Sequence, residues 1–326
     1  MEFPGITLVT GAAGFMGRHL VEHLARQGTR VRATARPRQD LSFFARLGVE
    51  FVPADLTRPD TLPRLFEGGV DRVFHLGAIC YFSTPYERLR PTNVEGVEHV
   101  TRLALQDGVR RYVHVGSTAV YGAYRGTPFL EDDPRDPQDA YGRSKRDGED
   151  VVWRGIGNGL PGILTRPCTV YGPGCNDGAG KAFSRPTAIA GIPGKGTQRL
   201  SNVRAEDVAA AVEHLSRLDD AVGRAFNIAD DSHPTVEEAL VAAARAFGAK
   251  PPALHLPLAL VGAVARVQGW IAARRGTISD LEFDAVRYLG DDYIVDNGRL
   301  KATGFRLQYP DFGESMRQMG QGRRSR

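Results

Sequence analysis

Two stretches of this chain have residue types and spacings that could do chemistry together: Tyr141-Gly142-Arg143-Ser144-Lys145 and Thr10-Gly11-Ala12-Ala13-Gly14-Phe15-Met16-Gly17. A phenol is a poor base, with an unperturbed pKa of about 10. A lysine four residues further along a helix lies on the same face, and its charge favours the phenolate. The spacing therefore predicts Tyr141 as a general acid/base whose pKa Lys145 draws down toward working pH. Alone, such a pair is most often a solvated helix face. Gly11, Gly14 and Gly17 change its meaning, because they follow a predicted strand, Ile6-Thr7-Leu8-Val9-Thr10, and open a predicted helix. Glycines in that setting make a tight turn, let backbone approach a pyrophosphate and leave the helix N-terminus facing the phosphates. The spacing is Gly-x-x-Gly-x-x-Gly rather than Gly-x-Gly-x-x-Gly. A phenolic proton beside a dinucleotide points to proton transfer coupled to hydride transfer.

The end of the second strand reports on cofactor choice. An acid there would bind a ribose 2′-hydroxyl, whereas an arginine accommodates a 2′-phosphate. The strand ends Thr34-Ala35-Arg36-Pro37-Arg38, with no acid until Asp40. Arg36, helped by Arg38, suits the phosphate of NADP through bidentate hydrogen bonds, with NAD as the alternative.

These residues need elements to position them. The first half alternates short β-branched runs with helical stretches, the pattern of a doubly wound parallel α/β sheet. Strands are predicted at 6–10, 30–35, 49–53, 72–76, 112–115 and 162–165, with helices at 15–27, 93–106 and 139–154, the last carrying Tyr141 and Lys145. Beyond residue 170 glycine and proline cluster from Gly172 to Gly196, and long irregular stretches are usually functional. Helices are predicted at 205–218, 235–247, 257–273 and 279–289, with capping boxes at Thr235-Val236-Glu237-Glu238 and Ser279-Asp280-Leu281-Glu282. The division expected is a dinucleotide-binding domain over 1–170, a smaller, mostly helical substrate lobe over 171–320 with segments returning to the sheet, and a disordered basic tail over 321–326. No internal repeat or low-complexity block is visible.

The bulk numbers fit a soluble globular protein: 326 residues, 42% hydrophobic, 25% charged and a net charge of +4. Charges of both signs are interspersed, and no aromatic platform or reading helix suggests nucleic acid as a partner. Cys80, Cys168 and Cys175 are odd in number and lack metal-ligand spacing, as do His19, His99 and His114, so no metal is expected and a reducing cytoplasm is. The start, Met1-Glu2-Phe3-Pro4, lacks the basic and apolar regions of a signal peptide. Leu254 to Ala273 is about as long as a membrane span, but His255, Pro257, Arg266 and Gln268 interrupt it. It reads as an amphipathic helix starting near Pro257, packed on the core ahead of any contact with a membrane surface.

With these residues in hand, the chain resembles the extended short-chain dehydrogenase/reductase family over nearly its whole length. Gly11, Gly14, Phe15, Met16 and Gly17 look like its cofactor loop, and Asp55-Leu56 like its adenine-contacting pair. His75-Leu76-Gly77-Ala78 is similar to the motif beside the ribose and nicotinamide, with Gly77 where alanine is usual. Asn93-Val94-Glu95-Gly96 matches the motif whose asparagine braces the active-site helix, and Asn93 is counted with the cofactor-binding residues. Ser117 stands where the family has its catalytic Ser/Thr, and Tyr141 and Lys145 complete the triad. Pro167, Thr169 and Val170, in Arg166-Pro167-Cys168-Thr169-Val170-Tyr171-Gly172, resemble the segment lining the nicotinamide. The resemblance implies that Tyr141 moves the proton and that Lys145 stabilises its phenolate and holds the nicotinamide ribose. It also implies that Ser117 hydrogen-bonds the same substrate oxygen. It implies a homodimer through helices 93–106 and 139–154 of two subunits as well.

Family members divide mainly between nucleotide sugars and apolar alcohols or ketones such as hydroxysteroids and dihydroflavonols. Thr118 and Ala119 follow Ser117 where 4,6-dehydratases carry acid/base residues, which speaks against that subclass. Arg199 resembles the arginine that epimerases place on a diphosphate. Against that, Arg32-Ala33-Thr34-Ala35-Arg36-Pro37 resembles NADP-type reductases, and the 256–273 segment with Trp270 resembles a helix of hydroxysteroid-type members. Tyr81, Phe82 and Tyr86 add apolar pocket surface beside Thr118. The balance points to a steroid- or flavonoid-like ketone or alcohol, with an NDP-sugar enzyme as the alternative and a non-catalytic NADP-binding regulator as a third reading.

Overall fold

The sheet that carries the site is built mainly from buried strands, and several of them bury charged as well as apolar side chains, among them Arg32, Arg72, Arg111 and Arg166. The computed structural model describes the chain apart from residues 37–40, 177, 185–190, 276, 278, 280, 282 and 325–326. The first half contains β1 (Ile6–Thr10), α1 (Phe15–Arg26), β2 (Val31–Thr34), α2 (Ser42–Arg46), β3 (Glu50–Phe51), β4 (Val70–His75) and α3 (Tyr86–Arg90). It continues with α4 (Gly96–Asp107), β5 (Arg111–Val115), α5 (Ala140–Gly157) and β6 (Gly162–Pro167). Then come β7 (Thr169–Tyr171), α6 (Gly178–Ser184), β8 (Ile192–Pro193), β9 (Asn202–Arg204), α7 (Ala205–Ser216) and β10 (Ala225–Ile228). The chain finishes with α8 (Val236–Ala246), β11 (His255–Leu256), α9 (Leu258–Arg275), α10 (Phe283–Arg287), α11 (Gly298–Ala302) and α12 (Phe312–Arg324).

Among the described residues one sheet has seven strands in the order β10-β6-β5-β4-β1-β2-β3, all parallel. Alternate side chains serve two cores. Ile6, Leu8, Val73 and Tyr112 pack on one face with Val97 and Val152 of α4 and α5. Val9, Phe74 and Val113 pack on the other with Leu20, Leu24, Val208 and Val212 of α1 and α7. The strand order reverses between β1 and β4, and ligands of open α/β sheets bind at such a switch point, outside the carboxyl ends of the strands.

Several expectations change. The helix expected from residue 93 begins earlier, as α3, and passes through a π-helical turn at Pro91–Glu95 before α4. The seventh strand, β10, comes from beyond residue 170 and closes the sheet on β6. The Thr235 capping box forms, with Glu238 N donating to Thr235 Oγ1 and Thr235 N to Glu238 Oε2. The box expected at Ser279 does not cap a helix there. α10 starts at Phe283 and the Ser279 hydroxyl donates to Leu281 O, while Asp280 and Glu282 lie outside the described residues. The expected disordered tail is helical as far as α12 extends, to Arg324, and residues 325–326 lie outside the described residues. α9 starts after Pro257 as expected, but its packing differs. Val261 and Ala265 form a small core with Val286 of α10, while Leu260, Val264, Val267 and Trp270 stay exposed. No helix of the described residues is long and apolar enough to cross a membrane.

Candidate active site

The loop after β1 is shaped by contacts that leave no room for side chains. Gly11 has φ +66°, and a Cβ on it would stand 2.7 Å from Gly77 Cα, at the end of β4. A Cβ on Gly17 would meet Gly11 O at 2.2 Å, so the loop and the first turn of α1 can close only on glycine. Gly14 is the N-cap of α1 and offers no side-chain acceptor, and the first turn, with Phe15 and Met16, holds no acid. Its N–H groups and the positive helix end therefore face outward, as an anion needs. Ala12 N donates to Thr34 O, which ties the loop to the end of β2. There the buried Thr34 hydroxyl has no partner among the described residues and Arg36 is exposed; Arg38 lies outside the described residues. Asp55 follows β3, its Oδ1 accepting from Thr57 N and Oγ1. Gly77 in place of alanine has a local reason: a Cβ there would lie 2.5 Å from Leu56 Cδ1. Ala78 follows directly, and Gly77 N donates to Thr10 Oγ1, which also bonds His75 Nδ1 at 2.9 Å.

Tyr141 lies in the first turn of α5, buried, with the Ser117 side chain of the loop after β5 near enough to influence its phenol. Asp139 caps the helix by accepting from Gly142 N at 2.8 Å. Lys145, one turn on, donates from Nζ to Val115 O at 3.0 Å. The expected sign of the Tyr141 shift is reversed. Burial pushes its phenol well above the ordinary value, the Cys80 sulfur adds to the rise, and the Ser117 side chain opposes it. Lys145 is itself pushed down by burial, against Cys80 and Glu149. In the protein alone, desolvation outweighs the Tyr-x-x-x-Lys charge effect. Beneath the lysine, His75 and His114 stack at 5.6 Å, and burial, followed by the Lys145 charge, holds both well below the usual imidazole value, His75 at about 3.

Asn93 braces the helix that carries the tyrosine. Its Oδ1 accepts from Ile79 N, and its Nδ2 donates to Ile79 O and to Ser144 Oγ, which in turn donates to Tyr141 O. The π-helical turn that carries Asn93 touches α5 so closely that a Cβ on Gly148 would meet Asn93 O at 2.4 Å. Behind α5 the buried Glu149 is held by Arg166 at 2.8 Å and Arg135 at 3.4 Å, and Arg166 also donates to the Tyr121 hydroxyl. Pro167 ends β6, and Thr169 and Val170 follow on β7, half-buried.

Beside Tyr141 stands an aromatic wall. Phe82 packs at 4.8 Å from the Tyr141 ring and 5.3 Å from Tyr288, which is 5.3 Å from Tyr293. Tyr288 donates to Asp139 Oδ2 at 2.5 Å and Tyr293 to Thr118 O at 2.6 Å, so the C-terminal segment is pinned to the cap of α5 and to the Ser117 loop. Sequence reasoning missed Cys80, Asp139, Tyr288 and Tyr293. An aspartate before a helical run was a readable cap signal for Asp139; nothing local marks the other three. Phe82 joins the group as expected, and half-buried Tyr81 precedes it. Tyr86 does not: its hydroxyl donates to Asp147 Oδ2 and fastens α3 to α5. Thr118 is buried, and its carbonyl is taken by Tyr293. Arg199 is exposed on the other side of that tyrosine, bound through its backbone to Asp292 and Tyr293 N. Among the described residues no cluster of His, Cys, Asp or Glu could hold a metal ion.

The NAD dependent epimerase/dehydratase family model matches residues 7–229. A ceramide reductase of Caulobacter vibrioides is 31% identical over 270 residues, 82% of this chain and 78% of that protein. A 4-hydroxy-2-methyl-3-oxo-4-farnesyl-3,4-dihydroquinoline-1-oxide ketoreductase of Stigmatella aurantiaca is 31% identical over 173 residues, about half of each chain (51% and 50%). The fold is that of the Thermus thermophilus UDP-glucose 4-epimerase in complex with NAD, with a TM-score of 0.78 at 22% identity over 98% of this chain and 99% of that one. The chain belongs to the NAD dependent epimerase/dehydratase family and is an NAD(P)-dependent enzyme of the extended short-chain dehydrogenase/reductase type.

Proposed function

We propose that the chain interconverts a bulky apolar ketone and its secondary alcohol, with NADP as cofactor. The observation that carries this reading is the wall of Phe82, Tyr288 and Tyr293 that begins on the Tyr141 ring. Aromatic rings supply large apolar contact area and few charges, which suits a steroid- or flavonoid-like body. The farnesylated quinoline oxide and the ceramide named for two relatives are substrates of that character.

The glycine cradle, the acid-free first turn of α1 and the unpartnered Thr34 hydroxyl fit a dinucleotide, and Arg36 is the residue for a 2′-phosphate. The nicotinamide, when bound, supplies the hydride. Gly11, Gly14, Phe15, Met16 and Gly17 would hold the pyrophosphate, Asp55 and Leu56 the adenine, and Gly77, Ala78, Pro167, Thr169 and Val170 the nicotinamide side. In reduction Tyr141 gives its proton to the carbonyl oxygen, and Ser117, close to the phenol, fixes that oxygen beside it. Burial favours the protonated phenol, which suits a proton donor. Lys145 then stabilises the negative charge left on Tyr141.

A second reading, an NDP-sugar enzyme with the same triad, rests on the exposed Arg199. One comparison separates them. The purified chain is assayed with NADPH and NADH against apolar cyclic ketones and against UDP-sugars. The proposal expects NADPH-dependent ketone reduction; retained NAD with sugar epimerisation would overturn it.

A further inference from the structure

Apolar side chains run right round α9, a pattern that belongs to buried helices, yet α9 lies at the surface. Its inner side holds Val261 and Ala265, buried against α10, and Ala272, also buried. Its outer side is a stripe at helical spacing, Leu260, Val264, Val267 and Ile271, with Val267 58% exposed and Trp270 at its edge 56% exposed. Of the nine large apolar side chains exposed among the described residues, six lie between Leu254 and Ile271. Such a concentration marks an interaction surface.

The charges around the stripe say what covers it. Arg266, Arg274 and Arg275 lie on α9, and the helix contains no Asp or Glu. The Arg274 guanidinium stacks on the Trp270 ring at 3.8 Å, so a cation and an indole share one end of the stripe. At the other end Lys195 shares a surface depression with Pro257 and Leu258; Glu237 at that end faces His255 at 3.7 Å. A second α9 packed on the first would set arginine against arginine, because α9 itself holds no acid, although Asp284 lies on the neighbouring α10. A surface of anionic lipid headgroups answers both features, the apolar stripe entering the acyl boundary and the arginines meeting phosphates.

We propose that the exposed face of α9 docks the protein on an anionic membrane surface, lying in the interface without spanning it. Docking would bring the aromatic pocket to the lipid. α9 packs through Gly262 and Arg266 on Phe283 of α10, and that segment leads to Tyr288 in the wall beside Tyr141. The inference stands apart from the substrate reading, because it is tested without turnover.

The test is co-sedimentation of the full chain with vesicles of phosphatidylglycerol and phosphatidylcholine in equal parts, or of phosphatidylcholine alone. The expected result is binding to the anionic vesicles that weakens with salt and falls about tenfold or more in a Val267→Glu, Ile271→Glu variant. An Arg274→Glu, Arg275→Glu variant, which changes only exposed charge, is expected to lose binding too, and circular dichroism confirms that each variant is folded. No sedimentation with anionic vesicles, or equal sedimentation with phosphatidylcholine alone, overturns the proposal. So does a concentration-dependent dimer that the Val267→Glu, Ile271→Glu pair abolishes, since the face would then belong to a second copy.

Discussion

The surroundings of α5 and the α9–α10 pair are made of similar residues put to opposite use. Around α5 the polar groups are consumed internally: Asn93 by Ile79 and Ser144, Lys145 by Val115 O, Glu149 by Arg166 and Arg135. The apolar groups there are buried between sheet and helices. In α9–α10 the core is small, the arginines are exposed and so are the largest apolar side chains. The first arrangement fixes a phenol against a serine; the second leaves surface for something outside the chain. The site joins the two through Tyr288 and Tyr293.

The contrast can be broken most severely at Arg166. Arg166→Met removes the closest partner of the buried Glu149, leaving Arg135 and the charge of Lys145, and breaking such a pair costs about 3–5 kcal/mol. A fall of several degrees in the melting temperature is the expected outcome, whereas Arg274→Glu leaves it in place. Asp230, which follows β10, is a second test, read through pH. It accepts from the Tyr171 hydroxyl, its other oxygen is unpartnered, and burial raises its pKa from 3.8 to about 8. The folded protein therefore keeps this proton where the unfolded chain has lost it. Stability falls as pH rises from about 4 toward 8, by up to about 1.4 kcal/mol per unit, and levels off above that range. Asp230→Asn should remove this fall in a series of denaturant titrations. Asn93→Ala frees Ile79 and Ser144 and should lower kcat about tenfold through misplacement of Tyr141, with cofactor affinity little changed. Smallest is Val267→Glu with Ile271→Glu, expected to shift stability within about 0.5 kcal/mol and to leave turnover of a water-soluble ketone unchanged.

What the sequence made legible follows the same division. The parallel sheet and the glycine loop could be read because short β-branched runs alternate with helical stretches and Gly11 and Gly17 sit where strand meets helix. The pairing of Tyr141 with Lys145 could be read from spacing within one helix, and the Asn93 brace from the family resemblance. The closing of the site could not: Tyr288 and Tyr293 reach Asp139 and Thr118 across about 150 residues or more, and no local pattern marks such a contact. β10 was hidden for the same reason. The Tyr141 shift was misread because spacing reports a neighbouring charge, while burial is a property of the assembled fold. α9 was misread because apolar composition alone does not distinguish a helix face turned inward from one left open.

The central claim, that Tyr141 moves the proton which accompanies the hydride, is tested most directly by Tyr141→Phe. Its NADPH affinity, followed by the quenching of protein fluorescence, and its turnover of an apolar ketone are measured beside the unmodified protein. The account predicts unchanged cofactor affinity with turnover reduced by about 10²–10⁴. Full turnover in this variant would contradict it.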